Sequence, residues 1–135
     1  MELIATEFRD VPFILPHLGS FGDDWRAHLA VIDLLVRHPN VYADTSGVRR
    51  FDYLVEAIRR AGAAKLLFGS DGPWLHPGIE LAKIRLLGLS AEQFGQVTSA
   101  NCRSVRAKNS APNTMARKIT NGTMPVTTSP TMNSR

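Results

Sequence analysis

The 135-residue chain predicts an α/β fold built on a parallel sheet. Three short apolar runs carry the prediction: Val11–Leu15, Val41–Asp44 and Ala64–Phe68. Helical patterns separate them, at strand spacings of roughly 25–30 residues, which suits βα units joined by crossovers. Their interiors are continuously apolar rather than alternating, as expected of a sheet covered on both faces.

The elements follow in order. Val11-Pro12-Phe13-Ile14-Leu15 is the first strand, running into a Pro16-His17-Leu18-Gly19 loop. From Asp24 to His38, Trp25, Leu29, Ile32 and Val36 mark one stripe of a helix, with Asp23 or Asp24 as its N-cap. Pro39-Asn40 ends that helix, and the second strand stops at Asp44, before Thr45-Ser46-Gly47. Leu54, Ala57, Ile58 and Ala61 define the next helix, closed by Gly62. Gly69-Ser70 leads from the third strand to Asp71. A helix starts at Pro77 and runs through Leu87, and Ser90-Ala91-Glu92-Gln93 reads as a capping box opening the last helix.

Beyond about residue 105 the pattern is lost. We divide the chain into an ordered unit over 1–106 and a polar, basic tail over 107–135. The tail is rich in Ser, Thr, Asn and Pro, and it is expected to be disordered. Charge follows the same division. Residues 1–100 carry 10 Lys/Arg and 12 Asp/Glu, so the net charge of +4 comes from the tail. Nucleic-acid binding by the folded part is therefore not expected. One cysteine, Cys102, excludes an internal disulfide and suits a reducing compartment. With no signal-peptide pattern and no run long enough to span a bilayer, a cytoplasmic protein without membrane contact is expected.

Chemistry concentrates where the strands end, the edge at which α/β proteins build their sites. Asp71 there is a metal ligand or proton acceptor, or else a residue capping the Gly-Pro turn. His17 occupies the matching place after the first strand and can relay protons or bind metal. Asp44, Thr45 and Ser46 either orient a neighbouring ligand or form a local turn, and the turn is the favoured reading. His28 and His38 are expected to be solvated, His76 lies in the loop near Trp74, and Cys102 is expected to pack inside the last helix.

Four segments, FILPHLGS, HPNVYADTSGV, GAAKLLFGSDGPWLHP and SANCRSV, together resemble the C-terminal portion of the amidohydrolase-related family. The branch is that of aminocarboxymuconate-semialdehyde decarboxylase-like enzymes within the metal-dependent hydrolase superfamily. The resemblance covers residues 1–106. It implies a partial (β/α)8 barrel made of about the last three βα units. It also implies a divalent metal, zinc first, with manganese or iron as alternatives. The implied activity is hydrolysis of amide, ester or lactone bonds, or non-oxidative decarboxylation of small carboxylic acids. By the same resemblance Asp71 is a catalytic residue and metal ligand, and His17 is an acid/base or substrate-polarising group.

The family's His-x-His pair and fifth-strand histidine have no counterpart here. A closed barrel also needs about 250 residues. The chain therefore reads as a fragment, with a small molecule as substrate and with open sheet edges that offer self-association. The alternatives are a non-catalytic remnant or interaction module stabilised by partner chains, and, ranked last, a small doubly wound binding domain.

Overall fold

The computed structural model describes residues 1–110. Three parallel strands, β1 (Phe13–Leu15), β2 (Val41–Asp44) and β3 (Leu66–Leu67), form one sheet in the order β1-β2-β3. Helices α1 (Glu2–Glu7), α2 (Trp25–Arg37), α3 (Phe51–Ala61), α4 (Pro77–Leu86), α5 (Ala91–Gly95) and α6 (Asn101–Ser110) surround it. The expected βα alternation is present. The outer strands are shorter than their apolar runs, because Ala63–Lys65 coils into a 3-10 turn and β1 starts only at Phe13.

Register divides the strand residues between two faces. Phe13 pairs with Val41, and Leu15 with Ala43, which pairs in turn with Leu66. These residues pack with Ile32 and Leu35 of α2 and Leu54 and Ala57 of α3 in the main core. On the opposite face Ile14 pairs with Tyr42, and Asp44 with Leu67. There only a small cluster of Tyr42, Leu67 and Val105 of α6 forms, and Ile14 stays 46% exposed. The expectation of a sheet covered on both faces is thus corrected: α6 reaches one end of the second face and leaves the β1 end open.

The stripe expected on α2 is also corrected. The buried positions are His28, Val31, Ile32 and Leu35, while Trp25 and Val36 face solvent. Counting apolar residues skipped His28, which is fully buried rather than solvated. Its Nδ1 bonds Leu18 O at 2.9 Å, and its ring stacks on Tyr53 with centroids 5.0 Å apart. His38 is likewise largely buried, at 13% side-chain exposure, with Nε2 3.7 Å from Glu2 Oε1. Cys102 is exposed rather than packed.

Local signals elsewhere hold. Asp24 caps α2 through Arg26 N and Ala27 N. Gly62 closes α3 at φ 83°, a left-handed conformation that costs glycine little. Pro77 opens α4. Ser90 and Gln93 form both bonds of the capping box on α5.

Two asparagines knit the ends of the sheet opposite the candidate site. Asn40 Nδ2 lies within 3.1 Å of Ala5 O, Phe8 O and Val11 O, which anchors α1, a helix the sequence pattern did not reveal. Asn101 Nδ2 donates to Ala63 O and Leu66 O, both at 2.7 Å. Phe68 N donates to Val97 O at 2.8 Å, so the π-helical turn Gln96–Ala100 between α5 and α6 satisfies part of the β3 edge. Helix α6 continues through Ser110, so residues 107–110, grouped with the tail on composition, are helical. The rest of the expected tail lies outside the described residues. Among the described residues, no helix is long and apolar enough to cross a membrane.

Candidate active site

The three loops that follow the strands bring their polar residues to one edge of the sheet. After β1, the backbone turns sharply through His17 (φ 56°), Leu18 (φ 47°) and Gly19 (φ 93°). Left-handed conformations cost non-glycine residues about 1 kcal/mol or more each, so surrounding contacts must hold this turn. His17 N donates to Asp44 Oδ1 at 2.9 Å, Ser20 N to His17 O at 3.0 Å, and His28 Nδ1 to Leu18 O at 2.9 Å. The Leu18 side chain is fully buried beneath it. Gly19 is required for space as well as for φ, since a Cβ there would lie 2.6 Å from Val31 Cγ2.

After β2, Asp44 Oδ1 accepts Ser46 N at 3.0 Å and Ser46 Oγ at 2.8 Å, besides His17 N. The local turn favoured from sequence is therefore present, and the same oxygen also fastens the neighbouring strand's loop. His17 Nδ1 lies 2.9 Å from Ser46 O and 3.0 Å from Ser46 Oγ. Thr45 is structural: its N donates to Leu67 O, and its Oγ1 accepts Gly69 N at 3.4 Å. Gly69 lets β3 approach this cluster, because a Cβ there would meet Ser46 Cβ at 3.1 Å and Asp44 Cγ at 3.3 Å.

After β3, Asp71 adopts φ 52° and precedes a cis Gly72-Pro73 bond. Its carbonyl accepts Leu75 N at 3.3 Å. Asp71 is partly buried, its carboxylate meets no hydrogen-bond partner among the described residues, and no hydrogen bond or ion pair joins it to His17. His76 caps α4 instead of reaching into the site, with Nδ1 accepting Gly78 N at 3.1 Å.

A cleft of about 320 Å3 opens beside this edge, lined by residues of all three loops together with α4. Phe21 stands edge-on to His17, with ring centroids 5.0 Å apart, and fills the space that a side chain at Gly47 would need. Across the cleft Glu80, 4% exposed, accepts Gly47 N at 3.1 Å and pairs with Lys83 at 2.6 Å. Lys83 Nζ also donates to Val48 O at 3.0 Å. This pair, buried at its Glu80 end, was not anticipated, although opposite charges at i and i+3 inside apolar PGIELAKIRL are its visible trace. Of the two neighbouring arginines, Arg50 is committed to Asp52 at 2.7 Å, and that guanidinium holds the Asp52 carboxyl below its usual range. Arg49 has no carboxylate partner among the described residues and lies 5.8 Å from the Phe21 ring.

A metal site built from protein alone needs three or more donors. Among the described residues, no group of three or more His, Cys, Asp and Glu side chains is placed to hold a metal ion. The donor set therefore does not fit a complete metal centre, and Asp71 supplies at most one ligand.

The sequence matches the family model described as Amidohydrolase over residues 1–113. The chain belongs to the amidohydrolase family. Solved amidohydrolase-type structures share its fold. A zinc-bound amidohydrolase from Burkholderia multivorans aligns at TM-score 0.65 and 17% identity, covering 78% of this chain and 47% of that one. A 5-carboxyvanillate decarboxylase from Sphingomonas paucimobilis aligns at TM-score 0.57 and 18% identity, covering 76% and 35%. A dihydroxybenzoic acid decarboxylase from a Polaromonas species, with bound manganese and the inhibitor 2-nitroresorcinol, aligns at TM-score 0.54 and 21% identity, covering 76% and 36%. At such identities the likeness is one of fold. This amidohydrolase chain spans between about a third and a half of the length of those structures. No curated protein matches it.

Proposed function

We propose that the chain forms about the last three βα units of a (β/α)8 metal-dependent hydrolase or non-oxidative decarboxylase, and that by itself it is catalytically silent. The observation carrying this reading is the placement of His17, Asp44 and Asp71 at or just beyond the ends of three adjacent parallel strands, at the sheet edge where such folds place their chemistry. Asp71 acts as one ligand of a divalent metal, zinc or manganese, the ions named for two related structures. Such an ion, held by a full donor set, would activate a water or polarise a substrate oxygen. His17 handles a proton at the substrate.

The substrate class is a small carboxylic acid or a compact ester, amide or lactone; the cleft, which lies beside His17 and Asp71 without being lined by either, is of a size for such a molecule. Its volume of about 320 Å3 lies at the small end for ligand sites. Phe21 gives it an apolar wall, and Arg49 offers a guanidinium not committed to a carboxylate among the described residues.

Turnover tests the silent-fragment reading. The purified chain is supplied with Zn2+ or Mn2+ and incubated with 2,6-dihydroxybenzoate and 5-carboxyvanillate. The expected rate is that of the metal salt alone, and metal-dependent turnover by the chain would overturn the reading. The second reading, a remnant stabilised by partner chains, is favoured by the open β1 end of the sheet, where Ile14 is 46% exposed. The two readings separate on whether Asp71 contacts added metal.

A further inference from the structure

We infer that Asp44 and Ser46 form a carboxylate–hydroxyl relay that fixes one proton of His17 on Nδ1 and leaves Nε2 as its basic nitrogen. Asp44 and Ser46 are thereby positioning residues.

Donor and acceptor chemistry leads to this arrangement. His17 Nδ1 lies 2.9 Å from Ser46 O, a carbonyl oxygen that can only accept. The contact is a hydrogen bond only if Nδ1 carries the proton, because two facing lone pairs would repel. The Ser46 hydroxyl lies 2.8 Å from Asp44 Oδ1 and 3.0 Å from the same Nδ1. An ionised carboxylate can only accept, so the single hydroxyl proton goes to Asp44. The hydroxyl lone pairs then turn toward His17 Nδ1, giving its proton a second acceptor. All three contacts are satisfied by one proton arrangement, and the opposite tautomer breaks two of them.

Rigidity makes the relay specific. Ser46 is 4% exposed, and only a glycine at position 69 leaves its hydroxyl this much room, since a Cβ there would stand 3.3 Å from Oγ. Asp44 Oδ1 also accepts His17 N, so one oxygen fixes both the backbone of His17 and, through Ser46, its ring. Phe21 closes the ring's flank at 5.0 Å. Nε2 meets no hydrogen-bond partner among the described residues. When it takes a proton from substrate or water, the resulting imidazolium keeps Nδ1–H on Ser46, with the negative charge of Asp44 one hydroxyl away. Asp44 thus orients an imidazole as a carboxylate does in other acid/base sites, with a serine interposed.

This inference rests on reading His17 as the proton-handling group, but its test needs neither metal nor turnover. The measurement is a long-range 1H–15N correlation spectrum of the full chain with His17 neutral, which distinguishes a protonated ring nitrogen from a bare one. The expected wild-type result is a single tautomer with hydrogen on Nδ1. In Ser46→Ala the carbonyl bond remains and the hydroxyl is lost, so the two nitrogen shifts should move toward averaged values. Ser46→Thr should restore them. His28, whose Nδ1 proton is held by Leu18 O, is the internal reference and should not move in any variant. A wild-type His17 protonated on Nε2 overturns the relay. So does a Ser46→Ala protein that keeps the single Nδ1–H tautomer, because the carbonyl alone would then suffice. If the relay is found and Asp71 nevertheless proves indifferent to metal, the functional reading fails and the relay stands.

Discussion

At the scale of single residues, the site depends on groups whose roles differ from those their types suggest. His28 looks like a solvated helix residue and is instead the donor that pins Leu18 O, and with it the left-handed turn carrying His17. His28→Ala should cost about 2–4 kcal/mol in urea unfolding, combining a cavity with a stranded carbonyl. His28→Asn should cost less, because its amide can replace the lost donor. Gly69→Ala places a methyl 3.1 Å from Ser46 Cβ and 3.3 Å from Asp44 Cγ. The same unfolding measurement should show a loss of about 1–3 kcal/mol. The placement of His17 and Asp71 just past their strands was legible in the sequence, because a polar side chain following an apolar run needs only local pattern to be noticed. The Asp44–His17 and Glu80–Gly47 bonds were not legible, since they join residues 27 and 33 positions apart and only the folded sheet brings them together.

Among the elements, capping and helix-closing signals were accurate because they are local chemistry: Ser90 with Gln93, Gly62, Pro77 and Asp24 all act as read. Ser90→Ala should cost about 1 kcal/mol. The face of α2 was misread because burial depends on what lies opposite, and apolar count alone placed Trp25 and Val36 inward. Helix α1 escaped notice because its anchor, Asn40, is remote in sequence. Asn40→Ala leaves the carbonyls of Ala5, Phe8 and Val11 without its amide. Hydrogen exchange at Ala5 and Phe8 should then accelerate while the β2 amides stay protected. Lys65 makes a comparable link under the sheet, donating to His38 O and Val41 O, and burial lowers its pKa, helped by Lys108. The fold therefore disfavours its charged form relative to the unfolded chain. Below its ordinary value of 10.5, stability should rise as pH climbs through the lowered folded value. Urea titrations across alkaline pH should show that rise in the wild type and lose its Lys65 component in Lys65→Met.

For the whole molecule, the βα rhythm gave the fold class correctly, whereas the covering of the sheet's second face could not be read from strands that are apolar throughout. Val105 of α6 joins Tyr42 and Leu67 on that face, and Lys108 Nζ donates to Tyr42 OH at 2.9 Å, so the β3 end is covered while Ile14 at the β1 end is not. Self-association through the β1 end should appear as a concentration-dependent sedimentation coefficient, reduced in Ile14→Lys. Our proposal is that this amidohydrolase chain contributes Asp71 to a metal site that its described residues alone do not complete. It is tested most directly by titrating the full chain with Mn2+ and mapping paramagnetic broadening of the backbone amide signals. Weak, non-saturating broadening centred on Asp71 to Leu75, and abolished in Asp71→Asn, is expected. Tight stoichiometric binding, or broadening unchanged in Asp71→Asn, would contradict it.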